Sequence, residues 1–346
     1  MQGQNRGWTV TFAGIGINLA LGILYTWSIF KNAIMESVLA GTGIGFGYSA
    51  ATPPALKWFP ANKTGLIAGL VVSGFGLASV YIAPLSKYLL GIWGLQSAML
   101  FFGITFILIV CALSMLLVNP PDGYVPESSE NNSLKTGSSN NNSVPANNDV
   151  NPMKLFASLE FYLLWFIYAI GAGAGLMVIG SVAGMAKSSL GEYAFVVVAI
   201  MAIGNAGGRI TAGVLSDKIG RSNTLIAMLL FQAILMLLAV SIMGTATAPA
   251  ILVLLATFIG FNYGTNLSIF PSFTKDLWGL KNFGTNYGIV FTAWGVGGFF
   301  MSRLSQMLKV TTESFSSSFY TAAGLLVLGI VLTFILKQRL KKIQAS

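Results

Sequence analysis

Arg209 is the only basic side chain set deep inside a long apolar run of the sequence. A charge is expensive in such surroundings, and a guanidinium's planar fork can hold a carboxylate through two parallel hydrogen bonds. A second reading is positional: Ser216 follows seven residues later, about 10 Å along a helix, within reach of a side chain that snorkels to a water interface. Other polar residues recur at helical spacing. Gly14, Asn18, Gly22 and Tyr25 step by four, four and three along one helix face. Asn262 and Asn266 stand four apart beside Tyr263, and Tyr48 holds the matching place where GFGYS at Gly45 to Ser49 resembles GFNYG at Gly260 to Gly264. Tyrosine hydroxyls and asparagine amides can complete the hydrogen bonding of a carboxylate. Faces of small residues serve equally for close helix contact.

Much chemistry is excluded. The chain has no histidine, a single cysteine (Cys111) in an apolar run, and no Asp or Glu within its apolar spans. Acid–base pairs, zinc sites and Ser-His triads therefore lack their parts. The sequence reads as no enzyme, with no cofactor and no metal. Its net charge of +9 is spread over short loops and the C-terminal tail. That distribution speaks for membrane topology and against a nucleic-acid partner, and no obligate protein partner is evident.

The elements that must position these residues follow from composition. Apolar residues make up 55% of the chain and charged residues 8%, with a mean hydropathy of +0.76. A soluble domain carries roughly 25% charged side chains, so the chain is expected to be an all-α integral membrane protein, helical because lipid-exposed backbone must satisfy its own hydrogen bonds. Ten spans are delineated: 9–30, 38–56, 65–86, 95–118, 161–185, 193–215, 222–243, 249–270, 284–306 and 316–336. A Pro, Ser and Asn-rich stretch, 119–152, divides a half-bundle at 1–118 (four spans) from one at 153–346 (six spans), and composes a flexible linker. Met153 to Glu160 suits a segment lying along the membrane surface. If the N-terminus is cytoplasmic, cytoplasmic segments carry thirteen basic residues against five on the other side. Both termini and the linker are then expected on the cytoplasmic side of the cell membrane.

The halves repeat. Gly65, Gly69, Ser73, Gly74, Phe75 and Gly76 match Gly284, Gly288, Thr292, Ala293, Trp294 and Gly295 at a constant offset of 219. Such repeats mark carriers built from two similar bundles. From Phe161 to Tyr263 the second half takes 102 steps, whereas Thr9 to Tyr48 takes 39, a shortfall of 63. That equals about two spans of ~20 residues with their loops.

The unmatched turn GVLSDKIGR, Gly213 to Arg221, resembles the loop signature of the major facilitator superfamily. Its Asp217 at a helix end, with Arg221 beyond the Gly213 and Gly220 turn, can latch one conformation through charge-assisted hydrogen bonds. GWTVTFAGIGINLALGILYTWSIF near the start, GIGFGYSAATPPALKWFP at Gly43 to Pro60 and GFGLASVYIAPL at Gly74 to Leu85 resemble the oxalate/formate antiporter family, close to the monocarboxylate carriers. The resemblance implies a bundle of two halves, a carboxylate cargo bound by Arg209, and twelve spans, of which the second and third are missing here. It also implies a lysine in the eleventh family span, where this chain has Trp294. With one cation instead of two, a monocarboxylate is the expected cargo, bound among Arg209, Trp294, Tyr25, Tyr48, Tyr263, Asn266 and Asn18. The alternatives are a dicarboxylate exchanger and a variant inactive in transport.

Overall fold

The computed structural model describes residues 2–22, 38–121, 123–126, 149–190, 194–243, 249–314 and 316–345. Its long elements are helices: α1 (Gln2–Leu21), α2 (Val38–Lys57), α3 (Thr64–Ser114), α4 (Leu159–Leu190), α5 (Ala194–Ile219), α6 (Arg221–Met243), α7 (Pro249–Trp278), α8 (Phe283–Thr312) and α9 (Ser316–Ala345). No strand occurs among the described residues. α3 is two helices in one run. At Gly94 the backbone turns to φ 69, ψ −179, a conformation open to a residue without Cβ. The chain reverses there, and Ala78 and Ile82 of the first arm cluster with Ala98 and Phe102 of the second. These arms are the expected third and fourth spans. The other expected spans also fall on helices, although the first extends past the described part of α1.

Five segments are long and apolar enough to cross a membrane by themselves: Ala61–Ser114, Leu159–Met177, Arg221–Ile242, Val253–Trp278 and Ser316–Ile343. α8, whose residues are all described, falls short of that standard, being rich in Gly, Asn, Ser and Thr. A helix shielded by neighbours needs less apolar surface than one facing lipid. Prolines 53, 54, 84 and 271 lie inside helices, as neighbouring helices in a membrane bundle permit.

Several contacts gather the helix ends at one end of the bundle. Lys57 Nζ donates to Asn119 Oδ1 at 3.1 Å, and Trp58 Nε1 to the Val118 carbonyl at 2.8 Å. Arg339 pairs with Glu160 at 2.8 Å, and Lys337 donates to Asn223 at 2.6 Å. Trp8 of α1 packs on Phe59 at 5.1 Å and the Val150 N–H donates to the Trp278 carbonyl at 3.2 Å, so the described start of α1 and both described edges of the linker lie with these helix ends. Met153 to Glu160, expected along the surface, enters α4 through a one-turn helix, Pro152–Leu155. Asn151 caps that turn, and Leu155 is fully buried.

The first group of helices, α1 to α3, meets the second, α4 to α9, mainly where α3 lies against α5 and α7. Their backbones nearly touch. A Cβ at Gly65 would stand 2.3 Å from the Gly213 carbonyl oxygen, and one at Gly69 2.4 Å from that of Arg209. On the repeat-related helix α8, a Cβ at Gly288 meets no atom of the described residues within 4 Å. Gly69→Ala should therefore cost about 1–3 kcal/mol through overpacking, while Gly288→Ala should be near neutral or slightly stabilising. Thermal melts of the purified proteins in detergent measure the contrast. Equal melting temperatures for the two variants would refute the packing described.

Candidate functional site

Small residues on α5 bring it into the centre. Gly204 and Gly208 face the Thr257 and Phe261 carbonyls of α7, where added Cβ atoms would lie 2.6 and 1.8 Å from oxygen. On its other side α5 touches α3 at Gly65 and Gly69. Arg209 thus sits on a helix clamped between the two groups, with no solvent exposure. Its Nε donates to Asn205 Oδ1 at 2.8 Å, and Nη1 donates to the Val72 carbonyl of α3. Its Cζ lies 5.8 Å from the Phe75 ring centre, within cation–π range. The side chain does not snorkel. Its contacts lie across the junction of the two groups.

From Phe75 an aromatic belt crosses the bundle. Phe75 meets Tyr48 edge-on at 5.4 Å, Tyr48 stacks on Phe291 at 5.0 Å, and Phe291 stacks on Trp294 at 5.4 Å. Trp294 Nε1 closes the row by donating to Tyr263 Oη at 2.7 Å. The sequence repeat has a physical counterpart here: Tyr48 with Phe75 in the first group corresponds to Tyr263 with Trp294 in the second. Tyr168 of α4 and Tyr287 of α8 flank Phe291 at 6.1 and 5.6 Å. The Tyr287 hydroxyl faces those of Tyr168 and Tyr48.

Four of the expected residues, Arg209, Tyr48, Tyr263 and Trp294, are therefore linked by contact. Asn266 is buried one helical turn from Tyr263, with Oδ1 against Gly171, and its Nδ2 finds no acceptor among the described residues. Asn18 is buried on α1 and donates to the Gly14 carbonyl at 3.0 Å. Its flanking glycines serve packing: Gly14 faces Val71 and Gly22 faces Phe75 and Ala78 of α3. Tyr25 lies outside the described residues. Asn262 donates to Gln232 Oε1 and the Met228 carbonyl, tying α7 to α6. Sequence reasoning missed Phe75, Tyr168, Tyr287 and Phe291. A signal existed for two of them, since Tyr287, Phe291 and Trp294 are spaced by four and three on one helix face. Among the described residues no group of three or more His, Cys, Asp or Glu could hold a metal.

The Gly213 to Arg221 turn joins the groups at the end where the helix termini gather. Asp217 accepts the Gly65 and Leu66 N–H groups, both at 2.8 Å. Those are first-turn donors of α3, which has no side-chain cap of its own. A carboxylate from one group thus caps a helix of the other and complements its dipole. Arg221 holds Asp217 at 2.6 Å and Asp276 of α7 at 2.8 Å. Gly220 takes φ 87 and permits the tight turn between α5 and α6. Lys275 adds a hydrogen bond to Thr64 Oγ1.

A two-group helical bundle with this turn defines a class, and comparison agrees. The family model described as Major Facilitator Superfamily matches residues 5–302 and 164–345. The chain belongs to that superfamily and is a multi-pass membrane protein. It is 27% identical over 296 residues to the uncharacterized MFS-type transporter YhjX of Escherichia coli, covering 83% of this chain and 68% of that one. It is 28% identical over 292 residues to the oxalate:formate antiporter of Oxalobacter formigenes, covering 83% and 62%. Human monocarboxylate transporter 11 is 26% identical over 329 residues, covering 91% and 65%. The chain thus spans about two thirds of the length of these relatives. Among solved structures, the fucose:proton symporter FucP of E. coli superposes with a TM-score of 0.60 at 13% identity, covering 96% of this chain and 84% of that one. A likeness at that identity is one of fold.

Removing the carboxylate of Asp217 strands two N–H groups and takes from Arg221 one of its two carboxylate partners. Asp217→Ala should lower stability by about 2–4 kcal/mol, with Asp217→Asn intermediate because one acceptor oxygen remains. Denaturant or thermal unfolding in detergent reads the order. An alanine variant as stable as the parent would rule out the cross-group cap.

Proposed function

We propose that the chain is a carrier for a small organic anion, working by alternating access, with a monocarboxylate as its cargo. The observation that carries this reading is the wholly buried Arg209 at the junction of the two groups, one step from the aromatic belt. Asn205 orients the guanidinium, and the Val72 carbonyl occupies Nη1 across the junction. A cargo carboxylate is a stronger acceptor than a neutral carbonyl. By drawing Nη1 away from Val72 it loosens a central tie between the groups, which couples binding to their relative motion. Tyr48, Tyr263, Trp294 and Asn266 supply neighbouring surfaces and donors. The similarity to an oxalate:formate antiporter and to monocarboxylate transporters supports the carboxylate class. Trp294 in place of a second cation favours one negative charge over two, because burying an unpaired carboxylate is costly.

The reading places both termini and residues 119–152 in the cytoplasm, from the thirteen-to-five basic asymmetry. The end closed by Asp217 and Arg221 is then the cytoplasmic end. A cysteine introduced at Ser139 should resist an impermeant thiol reagent in intact cells and react after lysis. Labelling from outside would reverse the topology.

A second reading, a variant impaired in transport for lack of two spans, has its own support. Gly65, Gly69 and Gly76 of α3 are covered by α5, whereas their counterparts Gly284, Gly288 and Gly295 of α8 face open space among the described residues. The helix that would complete the repeat is an α5-like span of the first half. Both readings meet in one assay, uptake into proteoliposomes by the chain and by a form with two family spans inserted after Phe30. In whichever form transports, Arg209→Gln should abolish monocarboxylate uptake, and Arg209→Lys should reduce it at least about tenfold, since the fork is lost. Trp294→Lys should shift preference toward dicarboxylates. Arg209→Gln uptake at the parent rate would remove Arg209 from the site. Transport by the extended form alone would establish the second reading.

A further inference from the structure

We propose that the end of the bundle carrying the Asp217 cap holds a separate site for a phosphate-bearing anion, which staples the two helix groups together there. A cavity of about 510 Å³ opens between the end of α2, the chain after α3 and the α7–α8 joint. Lys57, Lys275 and Lys281 line it, and Asp149 is the one acidic lining residue among the described residues. The ammonium groups come from both sides of the junction: Lys57 from the first group, Lys275 and Lys281 from the second.

What these charges already touch sets the ligand's chemistry. Lys57 donates to the neutral amide oxygen of Asn119 at 3.1 Å, and Lys275 to the Thr64 hydroxyl. The Asp149 carboxylate accepts the backbone N–H of Lys281 at 3.0 Å. Behind Lys275 stand Asp217 and Asp276, both bonded to Arg221. With Arg221, Asp217 and Asp276 counted, the described residues Lys57, Lys275, Lys281 and Arg221 still exceed Asp149, Asp217 and Asp276 by one positive charge. A phosphate group offers several strong acceptor oxygens to ammonium donors converging from different directions, and the cavity volume admits a phosphate or pyrophosphate. Basic pockets between membrane helices also receive anionic lipid headgroups. Either source supplies the same phosphate chemistry.

The position gives the consequence. An anion held by Lys57 on one group and Lys281 on the other binds best when the groups are close at this end, so it favours the closed form through mass action. The site shares no residue with the Arg209 centre.

The test uses the full chain and inorganic pyrophosphate at constant ionic strength, which removes general screening. Pyrophosphate should raise the melting temperature of the parent in detergent, with an apparent Kd weakened by about tenfold or more in the double variant Lys57→Gln, Lys281→Gln. A control pair, Lys87→Gln with Lys309→Gln, removes the same charge elsewhere and should respond like the parent. If pyrophosphate has no effect, the parent and double variant are compared in phosphatidylcholine vesicles with and without phosphatidylglycerol. Stabilisation of the parent alone by the anionic lipid supports the site and identifies a headgroup as its ligand. The proposal fails if neither probe separates the parent from the double variant, or if the control pair loses the response equally.

Discussion

Close approach of the α3 and α5 backbones governs the architecture. Helices in lipid gain little from hydrophobic association, and small residues that let backbones meet replace that drive. Here Gly65 and Gly213 leave room for no Cβ on either side, and Gly69 lies against the Arg209 carbonyl. This contact lays α5 of one group along α3 of the other. It therefore decides what the polar residues of α5 touch: Asn205, Arg209 and Asp217 all face the junction instead of lipid.

Two charges on α5 are handled differently, and the difference follows depth. Asp217 lies near the helix end and meets both orphan backbone donors and Arg221, so its charge is compensated within the protein. Arg209 lies farther in and meets neutral oxygens from Asn205 and Val72 with an aromatic face beyond them. These hydrogen bonds go to neutral dipoles, which are weaker acceptors for a guanidinium than a carboxylate is.

Most of the fold was legible in the sequence, because apolar run length and glycine interruptions respond to one constraint, the bilayer thickness. The gap between the spans 65–86 and 95–118 contains Gly94, where the structure turns. The Gly213 to Arg221 turn was legible too, since its residues interact through charges whose partners are few. The site was read less completely. Arg209 and the pairs of Tyr48 and Tyr263 stood out as polar residues in apolar surroundings, but Phe75 and Phe291, which link them, have the composition of ordinary core. The face of Gly14, Asn18 and Gly22 illustrates the converse ambiguity. Small and polar residues at helical spacing describe a cavity wall and a close helix contact equally well, and the structure assigns its glycines to packing on α3.

The geometry of the junction bears on how such groups move. α3 and α5 run antiparallel, so Asp217 lies beside Gly65 while Arg209 lies beside Gly69 and Val72. Eight residues separate the two side chains on α5, about 12 Å of helical rise. Both ties therefore join the same two rigid helices at different depths. A tilt that opens the Asp217 end must lengthen its two hydrogen bonds before much displacement reaches Arg209, whereas a sideways slide breaks both together. In the proposed carrier cycle, rocking about the centre would open the end cap while the Arg209 contact persists as a pivot, and an anion replacing the Val72 carbonyl would release it.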